Sequence, residues 1–198
     1  MNYLAHAYLS FNNPDVLLGN MISDFIKGKK QYDYPKQIQA GIQLHRAIDT
    51  FTDAHFATKS IKKYFSSSYG LYGGAFADVV YDYFLANDKS IFPDENTLKK
   101  FTQTSYDLLE NNEKWFGEKF GMMFPYMKAQ DWLYNYQFES GIQKSFEGVR
   151  RRALYIKETE KAFSIFVEHK IEMEQWAIIF IPLVKKFAAD TLAQLLNC

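Results

Sequence analysis

The sequence predicts an all-α fold, and three observations lead to this prediction. Apolar residues recur at the three- and four-residue spacing of a helix face in the segments described below. Only 10 glycines and 5 prolines interrupt the 198 residues, as long helices require. The 18 Phe, 14 Tyr and 3 Trp supply large side chains for a core between helices. Because this length fits one domain, we predict a single helical-bundle domain over residues 1–198.

The first two predicted helices each carry polar residues among apolar ones. Residues 2–9 are mostly apolar around His6, which is either a hydrogen-bonded core residue or a metal ligand. A turn leads into the second helix, with Pro14 near its first position. On this second helix, Asn20 and Asp24 are four residues apart and therefore share one face.

The third predicted helix, which includes residues 41–53, carries the densest set of polar candidates. His45, Asp49 and Asp53 follow one another at four-residue intervals and form a stripe along one face. Apolar residues on the neighbouring faces supply packing positions. One imidazole and two carboxylates are therefore expected to point in the same direction.

A further apolar segment, residues 75–85, repeats the four-residue spacing with Asp78 and Asp82. Beyond Pro93 the apolar pattern predicts additional helices, with boundaries at 95–112, 121–133, 135–152 and 155–195. Their aromatic stripes are interpreted as core.

Carboxylates on core-facing helices need compensation. Burying an unpaired carboxylate costs several kcal/mol unless a cation or hydrogen bonds offset it. Any one acid alone is explained by a helix cap or by a surface pair with Arg46, Lys62 or Lys63. Several acids together with histidine favour a divalent cation instead. A set of carboxylates and imidazoles without thiolate suits Mn²⁺, Mg²⁺ or Fe²⁺ better than structural zinc.

Charge and cysteine content restrict partners and location. Lys plus Arg number 23, as do Asp plus Glu, so no global field steers the chain onto nucleic acid or an anionic membrane. The single Cys198 excludes an intramolecular disulfide. Residues 1–10 lack the pattern of a signal peptide, and the apolar run 176–184 is too short to span a bilayer. We therefore predict a cytoplasmic protein without a membrane partner.

Five motifs carry a resemblance to a known family. In chain order they read MNYLAH (1–6), GNMISDF (19–25), GIQLHRAID (41–49), TD (52–53) and DVVYDYFL (78–85). Together they resemble the acyl carrier protein phosphodiesterase family, also called holo-acyl-carrier-protein hydrolase. The resemblance implies an HD-phosphohydrolase-like helical fold. It also implies a hydrolase that uses Mn²⁺, or another divalent ion such as Mg²⁺ or Fe²⁺, to remove 4′-phosphopantetheine from holo-acyl carrier protein.

The resemblance and the chemistry of phosphodiester hydrolysis together imply a role for each candidate. Asp24, His45 and Asp78 are the expected metal ligands, and His6 or Asp49 completes the set. Arg46 would hold a phosphoryl oxygen, and His55 would protonate the leaving group. The residues expected to orient these ligands are Asn20, Asp53 and Asp82. The chain lacks the adjacent His-Asp pair of an ordinary HD protein.

Two basic clusters are candidates for docking the acidic carrier protein. They are Lys27, Lys29 and Lys30, and Arg150, Arg151 and Arg152. The simpler interpretation of each cluster is a solvated helix end.

Two other functional classes stay open at this point. One is an HD-like phosphohydrolase that acts on nucleotides or other small phosphoesters. The other is a non-catalytic helical module that binds an acidic partner and needs no metal.

Overall fold

A computed structural model describes residues 1–197, and within this range it contains helices and no strand, which confirms the all-α prediction. The α-helices are α1 (Tyr3–Tyr8), α2 (Pro14–Ile22), α3 (Lys36–Ala54), α4 (Phe56–Tyr69), α5 (Gly73–Asn87), α6 (Glu95–Glu110), α7 (Glu118–Ala129), α8 (Trp132–Asn135), α9 (Glu139–Arg152), α10 (Glu160–Glu168) and α11 (Lys170–Leu196). Short 3₁₀ helices lie at Ser23–Phe25, Gly28–Asp33, Gly70–Tyr72 and Glu113–Trp115. Cys198 lies outside the described residues.

Helices α2 and α3 cross at unusually close range because each contributes a glycine at the crossing point. A Cβ atom on Gly19 would collide with the carbonyl oxygen of Ile38 and lie 2.8 Å from the Cα of Gly41. A Cβ on Gly41 would collide with the carbonyl oxygen of Val16. The glycines therefore let two backbones touch. As a result, the second half of α2 lies beside the first half of α3.

Helix α5 occupies the centre of the fold and packs against α1, α4, α9 and α11. Its side chains are buried around most of its circumference, as expected for a helix without a clear polar face. Phe76 on this helix stacks on Phe65 of α4 at 5.4 Å between ring centroids and meets Phe146 of α9 edge-on at 4.9 Å. These contacts confirm a core position for Phe146, one of the aromatic residues beyond Pro93, whereas Tyr126 and Tyr155 in the same half are exposed.

The sequence-based helix boundaries fail at two places in the C-terminal half. The predicted helix 155–195 is divided into α10 and α11, and residues 153–159 are not helical. In this segment the Leu154 N–H donates to the hydroxyl of Tyr72 instead of to a helical carbonyl. The two helices are separated at His169, whose ring packs on Tyr64 of α4. Tertiary contacts therefore override the local apolar pattern.

The predicted helix 121–133 also ends early. Asp131 adopts a left-handed backbone with φ of 46°, and this interrupts the helix between α7 and α8. Buried apolar side chains from Met1 to Leu192 form one cluster. The single-domain organisation and the HD-like topology stay predictions. Within residues 1–197, no helix combines the length and the apolar character that a bilayer span requires.

Candidate metal centre

Three of the predicted ligands meet where α1 packs beside α3. His6 lies on α1, and His45 and Asp49 lie one turn apart on α3. One ligand atom from each residue falls within 4.8 Å of the others, so the three form a possible metal-binding group. The two imidazole rings stack with centroids 3.9 Å apart and planes 17° from parallel. The stacking brings both rings to the same carboxylate.

Asn20, near the end of α2, holds both imidazoles. Its amide nitrogen donates to the carbonyl oxygen of His6 at 2.9 Å and to the Ser10 hydroxyl at 3.1 Å. The amide oxygen therefore faces Nδ1 of His6 at 2.8 Å, and this nitrogen must carry the proton. The carbonyl oxygen of Asn20 likewise accepts from Nδ1 of His45 at 2.7 Å. One residue thus fixes the tautomer of two rings, as outer partners of metal-binding histidines do.

The resulting tautomer leaves Nε2 of His6 without a hydrogen-bond partner. This nitrogen is buried, and it lies 3.2 Å from Oδ1 of Asp49. Burial and the neighbouring His45 lower the pKa of His6 to about 4, so the ring is neutral at physiological pH. A lone pair then faces a carboxylate oxygen, an arrangement that repels unless a cation lies between the two atoms. The orphaned nitrogen is the best indication that these residues fit a metal ion.

His45 is the second imidazole of the group. Its Nε2 lies 3.1 Å from Oδ1 of Asp24 and 3.1 Å from Oδ2 of Asp49. Burial acts to lower the pKa of His45, but hydrogen bonds to the two carboxylates outweigh it and raise the pKa to about 9. The hydrogen bond from His45 holds the pKa of Asp24 below its usual range. The pKa of Asp49 is lowered as well, because the two histidines outweigh its burial.

Asp78 approaches this group through the amino group of Met1. The amino nitrogen lies 2.9 Å from Oδ1 of Asp78 and 3.5 Å from Oδ1 of Asp49. Burial is the main reason that the pKa of Asp78 is raised. Asp24 and Asp78 line the same cleft of about 250 Å³. The cleft connects the predicted ligands that lie outside the three-residue group.

The donor set suits a divalent cation. Two imidazole nitrogens and one carboxylate converge directly, and the carboxylates of Asp24 and Asp78 lie beside them. Mixed nitrogen and oxygen donors without thiolate are common at catalytic centres for Mn²⁺, Fe²⁺ or Zn²⁺. Asp24 is 63% exposed, so one side of the group is open to solvent and to a substrate.

Two residues with predicted catalytic roles have other contacts. The terminal nitrogens of Arg46 donate to the side-chain oxygen of Gln31 and to the carbonyl oxygen of Ile26, both at 2.9 Å. His55 caps α4, because its Nδ1 accepts from the N–H of Ala57 at 3.2 Å. The structure therefore brings neither side chain into the group around Asp49.

The remaining predicted residues separate into a surface pair and exposed clusters. Asp53 lies one turn beyond Asp49 and pairs with Lys62 at 3.5 Å on the surface. The Lys27, Lys29 and Lys30 side chains are exposed near the 3₁₀ helix that follows Asp24. Arg150 pairs with Glu147 at 2.7 Å, and Arg151 and Arg152 are exposed at the end of α9.

Asp82 lies on the core side of α5 and caps α1. Its Oδ2 accepts from the N–H of Leu4 at 2.7 Å, and its Oδ1 accepts from the N–H groups of Asn2 and Ala5 at 3.2 and 3.3 Å. These bonds satisfy backbone donors at the helix N-terminus. Asp82 therefore positions the helix that carries His6. The sequence spacing grouped Asp82 with the other acids and did not reveal this contact with α1.

Asp82 should make stability depend on pH. Burial raises its pKa to about 7 despite the three N–H donors, whereas the unfolded value is about 3.9. The native state thus holds this proton more tightly than the unfolded chain does. The stabilising contribution is complete below about pH 4 and is lost as the pH rises through about 7, at up to about 1.4 kcal/mol per pH unit.

Urea unfolding of the metal-free protein and of Asp82→Asn measures this contribution. We expect wild-type stability, relative to the variant, to fall by about 2–3 kcal/mol between about pH 5 and about pH 8. A stability difference that stays constant over this range would show that Asp82 is ionised throughout.

An all-α fold with a histidine–carboxylate group at an open cleft defines a class of helical proteins with a candidate divalent-metal centre. Within this class, the chain belongs to the acyl carrier protein phosphodiesterase family, whose model matches residues 1–184.

Curated relatives support this assignment. An acyl carrier protein phosphodiesterase of Yersinia pestis is 29% identical over 188 residues, which cover 95% of this chain and 97% of the relative. One of Pectobacterium atrosepticum is 32% identical over 136 residues, which cover 69% and 70% of the two chains. One of Photorhabdus laumondii is 27% identical over 190 residues, or 96% of each chain. No solved structure matches the sequence.

Proposed function

We propose that this protein hydrolyses the phosphodiester bond that joins 4′-phosphopantetheine to holo-acyl carrier protein and so releases the apo form. The family match over residues 1–184 carries this proposal. The group around Asp49 supports it, because phosphodiester hydrolysis near neutral pH requires charge neutralisation and an activated water.

The proposed centre contains His6, His45 and Asp49, with Asp24 and Asp78 as further candidate ligands. A bound divalent cation, for which we propose Mn²⁺ with Mg²⁺ or Fe²⁺ as alternatives, would supply Lewis acidity and an activated water. Asn20 binds Nδ1 of both imidazoles, so the Nε2 atom of each ring is the one that faces Asp49. Asp24, which is the most exposed of these carboxylates, faces the open side from which a substrate enters.

The carrier protein is the proposed partner, and its docking uses charge. Lys27, Lys29 and Lys30 are exposed on the chain segment that follows Asp24. An acidic carrier protein would be attracted to this side of the cleft, and the attraction would weaken with salt because the Debye length is about 8 Å at physiological ionic strength. The cytoplasmic location of the reaction stays a prediction from the sequence.

An intact-mass assay tests the activity directly. Purified protein is incubated with holo-acyl carrier protein and Mn²⁺, and we expect the carrier to lose its phosphopantetheine arm, with no loss in the presence of EDTA. Reaction in ¹⁸O-water shows which bond breaks, because cleavage between phosphorus and the serine oxygen places the label in the released phosphopantetheine.

Two comparison reactions make the test specific. Nucleoside monophosphates and cyclic nucleotides replace the carrier protein in parallel reactions, and efficient hydrolysis of these alone would assign the chain to nucleotide chemistry. Full activity in EDTA-treated protein would contradict the metal-dependent proposal.

A further inference from the structure

Arg152 lies at the wall of the cleft that connects Asp24 with Asp78. The side chain belongs to the last turn of α9. Met1 and Tyr72 line the same cleft. Among the lining residues of this cleft, all of which fall in the described part of the chain, Arg152 supplies the one positively charged side chain. The end of α9 therefore brings a guanidinium group to the candidate metal centre.

The guanidinium of Arg152 also faces the interior of the molecule on the side of α1. Burial raises the pKa of Tyr3 to about 12, and the charge of Arg152 acts in the opposite direction. Burial likewise raises the pKa of Tyr136, and Arg152 again opposes it. Both tyrosines are buried, so the charge lies near the protein interior although the arginine itself is exposed.

The contacts of three arginines distinguish Arg152 from the others near the site. Arg46 has its terminal nitrogens bonded to Gln31 and Ile26, and Arg150 is paired with Glu147. Nε of Arg152 donates to the neutral carbonyl oxygen of Gly148 at 3.2 Å. That bond fixes the side chain against its own helix without neutralising its charge.

The charge of the metal-free cleft does not favour an anion. Even with His45 protonated, the cations of Met1, His45 and Arg152 only balance the carboxylates of Asp24, Asp49 and Asp78, so the metal-free cleft has no net positive charge to attract a phosphodiester. A bound divalent ion would make the net charge of the cleft positive, and Arg152 would then offer the phosphodiester a second cationic partner. Arginine presents a planar fork of N–H donors that matches two phosphoryl oxygens.

We propose that Arg152 is a phosphate-binding residue of this site and holds the non-bridging oxygens of the phosphodiester opposite Asp24 and Asp78. This inference rests on the proposed function for the identity of the substrate, but the binding of phosphate itself does not depend on the carrier protein. The sequence predicted that Arg46 holds a phosphoryl oxygen, and we now propose this role for Arg152, more than a hundred positions away.

Phosphate binding to the Mn²⁺-loaded protein tests the inference without a carrier protein. Inorganic phosphate is titrated, and its affinity is obtained from the paramagnetic broadening of the ³¹P signal. We expect Arg152→Ala to weaken phosphate binding by roughly 10- to 100-fold, as follows from loss of a charge-assisted hydrogen-bonding group. Arg152→Lys keeps the charge but not the planar fork of N–H donors, so its phosphate affinity should lie between that of Arg152→Ala and that of the wild type.

Two controls separate this role from folding and from docking. Mn²⁺ affinity, measured by calorimetry, should be unchanged in Arg152→Ala because arginine is not a ligand. Arg151→Ala, which removes the adjacent exposed guanidinium, should bind phosphate like the wild type.

Equal phosphate affinity in Arg152→Ala and wild type would overturn the inference, as would the absence of phosphate binding by the wild type. Impaired Mn²⁺ binding in both Arg152 variants would also overturn it, because the residue would then serve the metal centre or the fold. Phosphate binding that depends on Arg152, in a protein that leaves holo-acyl carrier protein intact, would retain this site and reject only the proposed substrate.

Discussion

Replacing Asp49 with asparagine is expected to abolish both metal binding and turnover. Asp49 is the carboxylate that contacts Nε2 of His6 at 3.2 Å and Nε2 of His45 at 3.1 Å, so it contacts both other members of the three-residue group. The amide keeps the shape but loses the charge. Because loss of an outer partner already costs roughly 10- to 100-fold in affinity or activity, loss of this central ligand should cost more.

Calorimetric Mn²⁺ titration and the carrier-protein assay measure the two effects, and circular dichroism checks that helical content is retained. Asp190→Asn, an exposed change on α11 where the carboxylate pairs with Lys186, is the neutral control. Wild-type Mn²⁺ affinity in Asp49→Asn would remove this residue from the centre.

Asp53→Asn adds an informative comparison on the same helix. Sequence spacing predicts that Asp53 orients a ligand, whereas its pair with Lys62 on the surface predicts no effect on turnover. Reduced Mn²⁺ affinity in this variant would favour the role predicted from the sequence.

The local part of the fold could be predicted, because helix periodicity is written into neighbouring residues. The spacing of His45 and Asp49 correctly indicated that both side chains leave α3 on one face. The division of 155–195 into two helices could not be predicted in this way. It depends on the contact of His169 with Tyr64 and on hydrogen bonds from the N–H groups of Leu154 and Ala162 to tyrosine hydroxyls, which join distant parts of the chain.

The candidate site was predictable as a set of residues and not as an arrangement. Side-chain type and spacing selected His6, Asn20 and Asp24, but only the packing of α1 and α2 against α3 reveals that Asn20 holds both imidazoles. Sequence spacing also could not predict which arginine lies at the site. Arg46 adjoins His45 in sequence yet points to Gln31, whereas the end of α9 carries Arg152 to the cleft. Neighbouring residues on a helix point in different directions.

The glycine pair at the crossing of α2 and α3 connects the fold to the site, and it gives the second large expected effect. Gly41→Ala should destabilise the protein by about 1–3 kcal/mol, because the added methyl group meets the carbonyl oxygen of Val16. The Cα of Gly19 and the amide nitrogen of Asn20 lie only 2.9 and 3.0 Å from the same position. All three atoms are backbone, so relief requires that the two helices separate.

This separation should weaken metal binding as well as stability. Asn20 lies at the contact and accepts a hydrogen bond from Nδ1 of each imidazole, so moving α2 away from α3 releases His45 from the main-chain carbonyl oxygen of Asn20 at 2.7 Å. Urea unfolding and Mn²⁺ titration of Gly41→Ala measure the two effects together. The matched control is Gly148→Ala on α9, where a Cβ meets nothing within 4 Å and the better helix former should stabilise by about 0.5–1 kcal/mol. Undiminished stability in Gly41→Ala would mean that the helices tolerate a wider crossing, and intact Mn²⁺ affinity in a destabilised variant would mean that the imidazoles keep their orientation without close contact between α2 and α3.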